Sequence, residues 1–217
     1  MKFSEFDLND TLLEAIYYAN FDEATEIQAK AIPLILEGKD LIGCAQTGTG
    51  KTAAFVLPML NQLSEIDSKG VKALILCPTR ELAIQIDRQV QGLAYFTNSV
   101  CRAVYGGGDG VAWDQEREAL EGAADIIIAT PGRLISHLER GYVNFKYVKN
   151  LILDEADRML DIGFFDDIIK IIGSLPKSRQ SLMFSATMAP KIRKLANEIL
   201  THPHEVSVAI SKPAEGV

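Results

Sequence analysis

Short runs of bulky apolar residues recur along the chain without polar alternation: DLIGC (40–44), KALILC (72–77), SVCRAV (99–104), DIIIA (125–129), KNLIL (149–153), SLMF (181–184) and EVSV (205–208). Continuous Ile, Leu and Val runs of this length are the pattern of strands buried on both faces. Between them lie stretches with helical periodicity: 11–19, 25–37, 52–66, 80–96 and 167–175. Strand and helix alternate, which predicts an α/β fold: a mostly parallel sheet with helices on both faces and ligands beyond the carboxyl ends of the strands. SEIDSKG (64–70) reads as a polar surface loop, GGGDGVAWDQ (106–115) as a glycine-rich connection, and AISKPAEGV (209–217) as a frayed tail or the start of a linker.

Composition narrows this little. The 217 residues are 47% hydrophobic and 24% charged, enough for one sizeable core. No run approaches the roughly 20 apolar residues that span a bilayer, and the acidic start MKFSEFDLND lacks the apolar region of a signal peptide, so a cytoplasmic location is expected. Cys44, Cys77 and Cys101 stand apart in apolar surroundings and read as buried reduced thiols. His202 and His204 lack further ligand candidates, and His137 reads as a helix-surface residue. The net charge of −7 excludes a broadly basic nucleic-acid-binding surface; any such site must be local.

The candidate chemistry sits at strand ends. AQTGTGKT (45–52) lies between the strand at 40–44 and the helix beginning near Thr52, the setting in which backbone N–H groups and a helix N-terminus converge on phosphate. Gln46, Thr47, Gly48, Thr49 and Gly50 form the loop, Lys51 reaches the β and γ phosphates, and the Thr52 hydroxyl can ligate magnesium. Ala45 stands where the strict pattern has glycine. LILDEAD (151–157) is the expected partner: Asp154 for the magnesium shell, Glu155 to orient and activate the attacking water.

With these residues in view, the chain resembles the DEAD-box RNA helicases over nearly its whole length. AQTGTGKT is followed in order by PTRELA (78–83), a glycine pair within YGGG (105–108), TPGR (130–133), DEAD (154–157) and SAT (185–187). The resemblance implies the first of two RecA-like domains, here residues 1–208, holding ATP and magnesium and touching single-stranded RNA through its backbone. NFDEATEIQ (20–28) is similar to the family's adenine-reading segment, departing from it at Asn20, Ala24 and Glu26. By that resemblance Gln28 reads adenine and Phe3 stacks on it, with Phe21 nearby; without it, both phenylalanines read as core residues.

The resemblance also assigns RNA contacts to Pro78, Thr79, Arg80, Gly107, Thr130, Gly132 and Arg133, while Thr79 and Thr130 suit helix N-caps and Arg80 and Glu81 could form structural ion pairs. Ser185 and Thr187 would couple nucleotide state to strand separation through Asp157. Nothing after Ala189 resembles the family's arginine-rich motif, so the partner RecA-like domain that completes the γ-phosphate site is expected to lie outside this sequence. A DNA-directed motor and an ATP-gated RNA clamp remain the rival readings. Oligomeric state and the cellular RNA target are not legible.

Overall fold

The structure, a computed structural model, describes residues 1–107 and 110–208. Seven strands form one sheet in the order β3-β4-β2-β5-β6-β1-β7. They are β1 Leu41–Cys44, β2 Ala73–Leu76, β3 Cys101–Val104, β4 Ile126–Ala129, β5 Asn150–Leu153, β6 Gln180–Ser185 and β7 His204–Ser207, one for each predicted run. Every pairing is parallel.

Side chains on successive strand residues point to opposite faces, and each face has its own core. Ala73, Ile75, Ile126, Ile128, Ile152, Leu182 and Phe184 pack under α1 (Asp10–Tyr18), α2 (Glu26–Leu36), α3 (Lys51–Ser64) and α4 (Arg80–Ala94). Leu74, Leu76, Ile127, Ala129, Leu151, Leu153 and Met183 pack against α6 (Pro131–Leu138), α7 (Ala156–Ile162), α8 (Phe165–Gly173) and α9 (Pro190–Ile199). Two-sided burial is why the strands read as uninterrupted apolar runs.

Three expectations need correction. The connection expected at 106–115 is largely helical: α5 runs Gly110–Glu118 and continues into a wide π-helical turn at Ala119–Ala123, ended by Gly122 at φ 122°. Its glycine start and weak apolar periodicity hid it. His137 is not on a helix surface; it is fully buried and its ring stacks on Trp113 at 3.9 Å. Of the cysteines only Cys77 is buried, while Cys44 and Cys101 are half-buried; all three are free. The tail at 209–217, like Gly108 of the glycine run, lies outside the described residues.

Candidate active site and nucleic-acid interface

The carboxyl edge of the sheet divides into two regions. At the first, β1 ends in the loop that leads to α3. Gly50 caps that helix with φ +90°, and a Cβ there would lie 2.6 Å from the Gln28 amide nitrogen, so both conformation and space require glycine. Lys51 is the first residue of α3, its side chain buried and its Nζ without a hydrogen-bond partner among the described residues. An unpaired buried ammonium costs several kcal/mol unless an anion joins it.

Two strands away, β5 delivers Asp154, 3% exposed, to the same cleft. Burial, helped by neighbouring Glu155 and Asp157 and opposed by Lys51, raises its carboxyl to about 6. Glu155 follows in the left-handed region at φ 52°, a strained conformation for a residue with a Cβ, and accepts a 3.4 Å hydrogen bond from Thr47 Oγ1. Strain of this kind persists only where the surroundings enforce it, and here it turns the carboxylate into the cleft.

The cleft encloses about 420 Å³ and is lined by Phe3, Phe21, Gln28, Thr47, Gly48, Gly50, Lys51, Thr52, Asp154 and Glu155, all anticipated from sequence. Gln46 and Thr49 were also expected to line it but do not; Thr49 Oγ1 instead donates to the Gln46 carbonyl at 2.8 Å and braces the loop. Glu23, Thr25, Leu82, Gln85 and Gln89 line it without having been anticipated. The last three sit on α4, whose first turn is the RELA of PTRELA and which carries no recognisable nucleotide motif.

At the end of the cleft expected to take adenine, Phe3 stacks on Phe21 with centroids 6.0 Å apart and is itself 3% exposed, so its core role is realised. The Gln28 carboxamide joins a capping box: Oε1 accepts from Thr25 N at 2.9 Å while Nε2 donates to Gly50 O at 3.1 Å. It thereby ties the start of α2 to the phosphate loop. An amide has two donor hydrogens and two acceptor lone pairs, so one of each is left for a base.

At the second region, the ends of β2, β3 and β4 lie side by side and carry PTRELA, the glycine loop and TPGR. Thr79 caps α4, accepting from Leu82 N at 3.3 Å, and Thr130 caps α6 without a side-chain bond. Arg80 forms no ion pair with Glu81 among the described residues; its guanidinium lies 4.9 Å from the Tyr105 ring centroid. A Cβ on Gly107 would lie 2.7 Å from Arg80 Nη1, and φ there is +82°, so this glycine permits the arginine's approach. Gly132 and Arg80 are exposed, whereas Pro78 is buried and offers no side-chain surface. Arg133 is engaged by Glu116 of α5, Nε to Oε2 at 2.7 Å, and its guanidinium also lies 4.2 Å from the Trp113 ring.

Between the regions, Thr187 Oγ1 donates to Asp157 Oδ2 at 3.4 Å, and buried Ser185 donates to the Thr187 carbonyl at 2.8 Å. The pairing of SAT with the last carboxylate of DEAD is thus present.

A family model described as DEAD/DEAH box helicase matches residues 25–195. The chain is 45% identical over 207 residues to the ATP-dependent RNA helicase CshA of Listeria monocytogenes, covering 95% of this chain and 39% of that protein. It is 44% identical over 208 residues to the CshA of Limosilactobacillus reuteri, covering 96% of this chain and 41% of that protein. Among solved structures, a DEAD box protein from Methanococcus jannaschii superposes with a TM-score of 0.86 at 38% identity, covering 95% of this chain and 56% of that one. A hypothetical ATP-dependent RNA helicase from Sulfolobus tokodaii superposes with a TM-score of 0.83 at 34% identity, covering 93% and 57%. The chain therefore spans about two fifths of the length of the curated relatives, and it belongs to the DEAD/DEAH box helicase family.

Proposed function

We propose that residues 1–208 act as the nucleotide-binding RecA-like half of an ATP-dependent RNA helicase. The observation that carries the reading is Lys51: a buried ammonium with no hydrogen-bond partner among the described residues, facing a cleft that also holds Asp154 and Glu155. A phosphate supplies the missing acceptor, and the N–H groups at the start of α3 add the favourable end of the helix dipole.

The residues fit magnesium as well as ATP, because the Thr52 hydroxyl and the buried Asp154 carboxylate are the hard oxygen donors that ion takes. Bound there, magnesium supplies charge neutralisation on the β and γ phosphates. Lys51 binds the same phosphates, Gln28 presents its remaining donor and acceptor to adenine, and Glu155, steadied by Thr47, orients water and accepts its proton. Ser185 and Thr187 relay the state of the DEAD segment through Asp157.

Thr79, Arg80, Gly107, Thr130, Gly132 and Arg133 form the surface for an RNA backbone, with Pro78 shaping it from below. Backbone contacts of this type position a strand without reading its sequence. A second RecA-like domain supplies the arginine that acts on the γ phosphate, worth about 10³ to 10⁵ in rate in related systems. Free cysteines accord with a reducing cytosolic compartment.

The test is ATP turnover with and without single-stranded RNA, on this chain alone and on it joined to a second RecA-like domain. The expected result is negligible turnover alone, with RNA-stimulated turnover in the joined protein that single-stranded DNA does not reproduce. Robust RNA-stimulated turnover by the chain alone would show that its site is complete and that the two-domain reading is wrong.

A further inference from the structure

Glu116 is a buried carboxylate on α5 that receives four hydrogen bonds and pairs with the Arg133 Nη2 nitrogen. Oε2 accepts from Arg133 Nε at 2.7 Å and from His137 Nε2 at 3.0 Å, and forms an ion pair with Arg133 Nη2 at 2.7 Å. Oε1 accepts from the backbone nitrogens of Tyr105 at 3.2 Å and Gly106 at 3.3 Å. One side chain therefore ties the glycine loop after β3 to the TPGR turn after β4 and to the interior of α6.

The surrounding groups fix its charge and orientation. Although burial alone would raise the carboxyl, hydrogen bonds from His137 and then Arg133 bring it below the usual range, so it is ionised at neutral pH. An ionised acceptor at Nε2 requires that nitrogen to carry the hydrogen; Nδ1 of a neutral ring then accepts from the Tyr142 hydroxyl. Burial raises that hydroxyl above its ordinary value, which keeps its proton in place. Trp113 completes the clamp, stacked on the His137 ring at 3.9 Å and lying 4.2 Å from the Arg133 guanidinium.

We propose that Glu116 is a positioning residue of the RNA-backbone surface: it holds Arg133 and the 105–107 loop in the arrangement that receives phosphate. The inference rests on the RNA reading of TPGR and the glycine loop given above. Arg133 has five N–H donors; Glu116 takes Nε–H in a hydrogen bond and faces Nη2 as an ion pair, which leaves donors on the far side of the guanidinium for phosphate. Charge and position here make opposite predictions. Removing a carboxylate beside a phosphate site should strengthen RNA binding if charge alone matters. Binding should weaken if Glu116 orders Arg133. Glutamine keeps the shape, but its NH₂ cannot accept, so two of the four hydrogen-bond donors lose their partner whichever oxygen it replaces.

The experiment is an NMR titration of the chain with single-stranded decauridylate at low salt, for the native protein, Arg133→Gln, Glu116→Gln, their double variant and Arg80→Gln. Arg133→Gln should weaken RNA binding by about fivefold to tenfold. Glu116→Gln should match it within about twofold, and the double variant should be no weaker than either single, the mark of two residues acting as one unit. ADP affinity should be unchanged in all of them. RNA binding by Glu116→Gln as tight as native or tighter, with Arg133→Gln weakened, overturns the inference and leaves the RNA surface standing. No change in Arg133→Gln, nor in Arg80→Gln, overturns the RNA surface and this inference with it. A measurement free of variants guards against misfolding: the Arg133 Nε–H signal of the native protein should resist hydrogen exchange both free and RNA-bound, and its loss on RNA addition would show that Arg133 leaves Glu116 to bind.

Discussion

The two halves of the sheet's carboxyl edge satisfy their polar groups in opposite ways. In the nucleotide cleft, Lys51 Nζ is buried without a partner and Asp154 is buried with its carboxyl raised to about 6, so that half is incomplete without a ligand. On the half proposed to receive RNA, Arg133 is already bound by Glu116 and Arg80 rests against Tyr105. The first half is built to gain strongly from a compact, highly charged ligand; the second presents a finished surface along which a strand can lie and leave. That suits a tight nucleotide site beside a weak, sequence-indifferent backbone site.

The largest expected effect lies within the nucleotide half. In a protein carrying the second RecA-like domain, Glu155→Gln should lower ATP turnover by about 10² to 10⁴ while leaving nucleotide affinity unchanged, since the role proposed for Glu155 is on water. Equal turnover for the two proteins removes Glu155 from the mechanism.

Next comes a pH effect confined to the same half. The Asp154 carboxyl lies near 6 in the folded protein against an ordinary 3.8. The folded state therefore binds the proton more tightly, and this group's contribution to stability is full below about pH 4 and lost as pH rises through about 6. The loss amounts to about 3 kcal/mol on that shift. Chemical denaturation of the metal-free chain across pH 4 to 7 should show it as a difference from Asp154→Asn; parallel curves for the two proteins would remove the raised carboxyl from the account.

Base recognition should give a smaller effect. ADP is expected to bind about tenfold more tightly than GDP, and Gln28→Ala to abolish the preference, because guanine places an acceptor where adenine offers a donor and leaves polar groups unpaired. Calorimetry with both nucleotides checks this, and equal affinities would confine Gln28 to capping α2. The smallest change belongs to the RNA half: Arg80→Gln should weaken single-stranded RNA binding by about threefold and lower its salt dependence by a little under one counterion. An unaltered salt slope in the same titration would leave Arg80 as Tyr105's neighbour alone.

The same contrast explains how much was legible in the sequence. The nucleotide half is written in contiguous strings, GTGKT and DEAD, each at the end of a strand whose double burial makes it a plain apolar run. The RNA half depends on pairs separated along the chain: Glu116 meets Arg133 from 17 residues away and His137 from 21. Nothing local marks Glu116, since its helix opens on glycine, ends in a π-helical turn and buries this one carboxylate. His137 likewise reads as a surface residue until Trp113 and Glu116 are brought to it. The capping role of Gln28 could have been read, because Thr25 and Gln28 hold the spacing of a capping box at the start of α2. Gln85 and Gln89 could not, because only the packing of α4 beside α3 turns them to the cleft.

The central claim is that the Lys51 ammonium is buried and unpaired because a phosphate is its partner. Lys51→Ala tests it most directly, with calorimetry for ADP and magnesium and thermal melting of the ligand-free chain run on the same samples. The account predicts that affinity falls by about a hundredfold or more while the ligand-free melting temperature holds or rises, since a buried ammonium without a hydrogen bond has gone. Retained ADP affinity together with a lowered melting temperature would contradict it, and would make Lys51 a residue of the fold instead of the site.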